Sequence, residues 1–382
     1  MKTKILLTFI MAIIFFLPGF SGGQPKTAVN QHDSTFFKTQ EPVLSIGSDS
    51  EKIGLGVYDS IWSYVVDDKR FVYIADRANL RVDKFDPKGN YLFSFGGPAH
   101  AAVRFPGWIE NNAVDAQGKL LAFSPVKRKF LFFSSDGGEF KEIAFFPGLN
   151  KSFIKKMKFD RSGNLFILTY SKALGYMLLR YNLESGEYAV IHRDNKRPRL
   201  SFKDLLPGFA FDAEDNIYIL DSIDYRVFKY SNRGKLLRTF FKETKKNRIR
   251  EKDFNFLMSR GRIRTVPNYK ADWKNLKGAS RFFPAVSGIA IDGSRIYVWT
   301  SDQDEEKKYL LDVYDLDFKY LFTTSYYNVL GNDLVFIKEG RFYIPNIGSE
   351  NSELKDSIGR FGFFNIPHKI EIFEISKSLP GK

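Results

Sequence analysis

Arg260, Arg262 and Arg264 stand two residues apart, and Tyr269 and Trp273 follow them. Guanidinium groups beside aromatic rings suit contact with an acidic polymer or a small anionic ligand. The surrounding stretch is strongly basic. Lys242 to Arg281 holds 13 Lys or Arg against 4 Asp or Glu, a local charge of +9 in a chain of net charge +14. Lys2 and Lys4 add +2, so everything else carries only +3. The basicity belongs to one segment.

Other chemistry is sparse. The histidines are His32, His100, His192 and His368, and no zinc-binding spacing links them. There is no cysteine, which excludes disulfides, thiol catalysis, cysteine-ligated zinc and lipoprotein anchoring. The sequence shows no serine nucleophile elbow, no phosphate-binding Walker loop and no dinucleotide fingerprint. Turns such as DPKGN, DRSGN and DAQGK put Asp where its carboxylate can bond backbone N–H groups two residues on. They lack the alternating Asp and distant Glu of a calcium loop and read as hairpin turns.

What positions these residues is a repeat. Tyr73 to Phe95 and Tyr218 to Phe240 are identical at nine of 23 positions, at an offset of 145 residues. That offset fits three repeats of about 48 residues. Each unit opens with an apolar strand ending in Asp, and this strand recurs at Asp67, Asp115, Asp160, Asp212 and Asp292, with Lys338 in the sixth position. The steps are 48, 45, 52, 80 and 46 residues. Four strands per unit at this period describe propeller blades. The sixth unit runs out at Lys369 to Ile375, one strand short, and Pro42 to Gly47 offers the missing strand from the other terminus. The expected fold is therefore all-β: a six-bladed β-propeller of four-stranded antiparallel blades, closed by an N-terminal strand. The propeller spans residues 42–376, with a basic insertion at 241–283 between blades four and five. A short helix is expected within the insertion, at REKDFNFLMSRGR.

Two lysines, the apolar run Ile5 to Leu17 and small residues at Ser21 to Gly23 fit a secretory signal peptide over residues 1–23. The run is shorter than the 20 or so residues of a spanning helix, although an uncleaved anchor is the alternative. A flexible lead (24–41) and a short tail (377–382) flank the propeller. The mature chain is expected to be extracytoplasmic, periplasmic or secreted, with no integral membrane segment, and monomeric. Export makes nucleic acid an unexpected partner.

The segment VYIADRANLRVDKFDPKGNYLFSFG resembles the NHL repeat, through Asp76, Asn79, Arg81, Phe85 and Gly89. Asp221, Arg226, Tyr230 and Gly234 match the same pattern in blade four, where Asp224 replaces the Asn. The other blades follow it only in strand rhythm. The resemblance implies that Asp76 with Arg81, and Asp221 with Arg226, fix the loop between second and third strands. It implies fold more than function, because this scaffold hosts many activities.

Propeller ligands are usually met on the face carrying those loops and the connections between blades. Arg77, Arg104, Trp108 and Tyr225 fall in loops of that face and are candidate contacts, together with Arg260, Arg262 and Arg264. The leading expectation is a non-catalytic binding or scaffold module for a protein, a polysaccharide or a small anionic ligand, with no cofactor. A solvated flap is the plainer reading of the insertion. The alternative function is a metal-dependent hydrolase or lyase. Similarity to calcium-dependent lactonases would use Glu110, Asn111, Asn332 and Asp333 as oxygen ligands. Similarity to amidating lyases would use His100, His192 and His368 to hold zinc.

Overall fold

The computed structural model describes residues 42–47, 61–76, 79–97, 105, 109–145, 152–171, 175–194, 200–202, 208–221, 224–244, 251, 263–265, 285–303, 309–326, 335–346 and 369–375. Six four-stranded antiparallel sheets follow one another along the chain. Their first strands are Ile61–Val66, Asn111–Val114, Phe153–Phe159, Phe209–Phe211, Val286–Asp292 and Phe336–Lys338. In each of the first five sheets the second, third and fourth strands follow in sequence order. In the sixth, Leu44–Ile46 lies beside Lys369–Glu374, with Leu44 opposite Ile372 and Ile46 opposite Ile370. The sheets are the blades of a six-bladed β-propeller.

Alternation along each strand builds the core. Successive side chains of a strand point to opposite faces of its sheet, so each blade serves two neighbours. In blade two, Leu120 and Ala122 pack towards blade one, while Leu121 and Phe123 pack towards blade three. In blade four, Ile217 and Ile219 face blade three, and Tyr218 and Leu220 face blade five. Blades five and six share a cluster around Trp299 and Phe342. Blades six and one share another around Tyr343, Ile370, Ile61 and Ile74. Six apolar seams thus hold six blades without a disulfide.

The turns between first and second strands carry the carboxylates marked in the sequence. Asp67 accepts the N–H groups of Lys69 and Phe71, both at 2.9 Å. Asp115 accepts those of Gln117 and Lys119, and Asp212 those of Glu214 and Asn216. They are hairpin turns. Blade five differs: Asp292 pairs with Arg295 across a two-residue turn, and Gly293 supplies the positive φ (57°) such a turn needs. Its carboxylate is therefore free of its own hairpin and reaches blade six.

The insertion joins a small sheet of its own. Ile263–Thr265 pairs with Leu200–Phe202, from the connection between blades three and four. That ladder is more than a solvated flap requires. The expected helix lies outside the described residues except for Glu251, which is helical.

Candidate functional site

The six first strands surround the channel. Where they turn into the second strands they line an open cavity of about 830 Å³, a size suited to a small molecule. Blade three contributes Lys156 and Lys158, and blade six faces them with Phe336 and Lys338. The blade-three strand explains its own lysines. Ile154 and Met157 are buried in the seam with blade two, and a register shift between Ile154 and Lys156 resets the alternation. Lys156 and Lys158 then share the opposite face.

Lys158 spans the channel. Its ammonium nitrogen lies 5.9 Å from the Phe209 ring centroid and 5.9 Å from that of Phe336. The Lys156 nitrogen is also 5.9 Å from the Phe336 centroid. Cation–π attraction offsets only part of the lost hydration. The Lys158 side chain is half-buried and lines the cavity. Burial, with the Lys156 and Lys338 cations beside it, holds its amine well below the usual lysine range.

The acidic residues around the rim are committed elsewhere. Asp67, Asp115, Asp160 and Asp212 bond their own turns. Asp215 accepts the Arg161 N–H at 3.0 Å and the Ser162 hydroxyl at 3.1 Å. Asp292 accepts the N–H groups of Glu339 and Gly340. Asp68 pairs with Lys338, and Glu339 with Arg70 at 3.5 Å. The charges acting on Lys158 are cations. Such a site can bind an anion or present an amine of lowered basicity.

This cavity is at the opposite mouth from the loop face on which contacts were expected. On that face Asn79 donates to Asp76 from its backbone (3.2 Å) and its side-chain amide (2.7 Å). Arg81 lies 3.5 Å from Asp76 and 3.1 Å from Asp83. In blade four Arg226 reaches Asp224 at 3.8 Å, and Asp221 pairs with Arg226 in the ladder. Asn111 donates to the Ile154 carbonyl at 3.3 Å, tying blade two to blade three. The Glu110 carboxylate acts on Arg128.

Two expected positions are corrected. Tyr225 is fully buried and donates to Asp312 at 2.7 Å, so it is a core residue closed to a ligand. His192 lies on the outer strand of blade three, Tyr188–Asp194, bonded to the Tyr230 hydroxyl at 2.8 Å and packed on Phe228. Three strand spacings, about 14 Å, separate it from the channel, too far for a channel zinc. Arg264 sits in the small sheet opposite Ser201. Arg77, Arg104, Trp108, Arg260, Arg262, Asn332, Asp333, His100 and His368 lie outside the described residues. Among the described residues no three His, Cys, Asp or Glu side chains converge as metal ligands.

Lys156 and Lys158 were missed by sequence reasoning. Their signal was present as IKKMK, charged residues at alternate positions in a strand whose repeat position calls for apolar ones.

No protein-family model matches the sequence, and no curated protein matches it. Among solved structures the chain is similar to a gluconolactonase from Xanthomonas campestris, at 12% identity and TM-score 0.46, over 84% of this chain and 88% of that one. It is also similar to the calcium-binding protein regucalcin from Agrobacterium tumefaciens, at 12% identity and TM-score 0.47, over 85% and 95%. Virginiamycin B lyase from Staphylococcus aureus is similar at 10% identity and TM-score 0.44, over 84% and 98%. The assignment as a six-bladed propeller rests on this chain's own six sheets.

Proposed function

We propose that the protein is an exported, NHL-like propeller that acts as a binding module and takes a small anionic ligand into the channel mouth. The observation that carries this reading is the pair Lys156 and Lys158 on one face of a strand that lines the cavity, with cations as the charges acting on Lys158. Holding Lys158 charged in that place is unfavourable, and an anion beside it would offset the cost. Binding is then accompanied by proton uptake, and affinity falls as pH rises. The leader at residues 1–23 supports export. We further propose a monomer with no resident cofactor, free of the membrane once the leader is cleaved.

Isothermal titration of the purified protein with inorganic phosphate and with citrate tests the reading. One saturable site is expected, weakened by salt and lost in the Lys156→Gln/Lys158→Gln double variant. Equal affinity in wild type and double variant would overturn it.

A further inference from the structure

We infer that Lys158 is a reactive amine that condenses with the keto group of a small 2-oxo acid in the channel, holding it as an imine. The inference rests on the anion-binding reading, since the same cavity supplies the carboxylate site.

The geometry has three parts. The Lys158 nitrogen lies inside the channel between the Phe209 and Phe336 rings, 5.9 Å from each centroid. Val335 and Ile337 add apolar wall on the side of blade six, so a carbonyl carbon can approach the amine along the rings. Lys156 lines the same cavity and supplies positive charge for a carboxylate, while Lys338 is paired with Asp68 at its edge. A 2-oxo acid carries its carboxylate one bond from its carbonyl, which matches an amine set among cations. An amine is nucleophilic only when neutral, and its apolar walls and cationic neighbours both favour that form.

The step balances without oxidant or reductant. The nitrogen lone pair of Lys158 forms a C–N bond to the keto carbon, and the C=O π pair moves to oxygen, which takes a proton. The carbinolamine hydroxyl takes a second proton from solvent, its C–O bond breaks and water leaves, the two protons gained by oxygen matching the two lost by nitrogen. The nitrogen gives up its remaining protons to solvent as the C=N bond forms. One water is released for each imine.

Pyruvate with sodium cyanoborohydride is the test, applied to the whole protein. Reduction converts the imine to a stable secondary amine, read as one pyruvate-derived mass increment and placed by peptide mapping. Labelling of Lys158 is expected at least about tenfold faster than of any other lysine, because a larger share of its amine is neutral. The Lys158→Met variant, whose fold is checked by circular dichroism, should lose that increment. No adduct, or adducts spread evenly over the lysines, overturns the inference. Titration with inorganic phosphate separates the two readings. Phosphate bound without a Lys158 adduct leaves the anion site standing and removes the imine, whereas absence of both removes both.

Discussion

Asp292 of blade five accepts the backbone N–H of Gly340 in blade six at 2.8 Å, and its other oxygen accepts that of Glu339 at 2.7 Å. In the first four blades the carboxylate ending the first strand bonds its own turn. Blade six has Lys338 at that position, and the preceding blade's Asp does the work instead. Charge-assisted bonds are the stronger kind. Asp292→Ala is therefore expected to lower stability by about 1–3 kcal/mol, because two turn amides lose their acceptor. The shift of the urea midpoint at constant slope measures it.

The two copies that are most alike in sequence owe their likeness to a shared polar cluster. Tyr73 donates to Asp67 at 3.2 Å, and Tyr218 to Asp212 at 3.1 Å. Lys84 stands 5.3 Å from the Tyr73 ring centroid and Lys229 stands 5.0 Å from that of Tyr218. Tyr73→Phe and Tyr218→Phe should each cost about 0.5–1.5 kcal/mol. They lie three blades apart and share no partner, so the double variant should equal the sum to within about 0.5 kcal/mol. Urea denaturation of the three variants checks this, and a larger departure would mean that the blades are coupled.

Blade number and strand order were legible because burial leaves a period-two pattern and turns leave Asp and Gly, both local signals. The ligand face was not. A lysine pair in a first strand looks like an imperfect repeat until the opposite blade is known, since Phe336 meets Lys158 across 178 residues of chain. Tyr225 misled for the converse reason. Its loop position suggested exposure, whereas Asp312, 87 residues later, draws its hydroxyl into the core.

Asp312 gathers four bonds, as many as the turn carboxylate Asp212. It accepts from Tyr225 at 2.7 Å, Lys242 at 2.7 Å and Thr323 at 2.6 Å, with the Tyr314 hydroxyl at 3.4 Å. It is 2% exposed. Replacing it by Ala removes the acceptor these hydroxyls share and the counter-charge of the part-exposed Lys242, for an expected loss of about 3 kcal/mol. Tyr225→Phe removes the bonds to Asp312 and to the Tyr314 hydroxyl and should cost about 1–2 kcal/mol. Thermal unfolding followed by circular dichroism should rank the two in that order.

Lys158 works against the fold. Its amine titrates lower in the folded chain than in the unfolded one, because it is buried and faces Lys156 and Lys338. Between the two pKa values the unfolded chain binds more protons, so this group makes stability rise with pH through that window. Below the folded value the penalty is constant, and above the ordinary lysine value it is gone. Lys158→Met should therefore stabilise the protein at neutral pH by about 0.5–2 kcal/mol, the range common when a site residue is relieved. The gain should shrink as pH rises towards the usual lysine range. Urea midpoints of both proteins from neutral to alkaline pH give the difference directly, and a gain that grew with pH would contradict the placement of Lys158.

Deletion of residues 245–281 separates the two mouths of the channel. The segment carries much of the basic charge, whereas the first strands and the turns that line the cavity belong to the six blades. The shortened chain should keep one cooperative unfolding transition, with the Leu200–Phe202 strand losing its partner. At 0.15 M salt the screening length is about 8 Å, so if the ligand is held by the lysines of the cavity, removing the cations of this connection should change phosphate affinity by no more than about twofold. At low salt, where screening reaches about 30 Å, association should slow. If affinity at 0.15 M salt collapsed instead, the arginines of the insertion would be the binding residues, and the loop face, not the lysine-lined mouth, would hold the ligand.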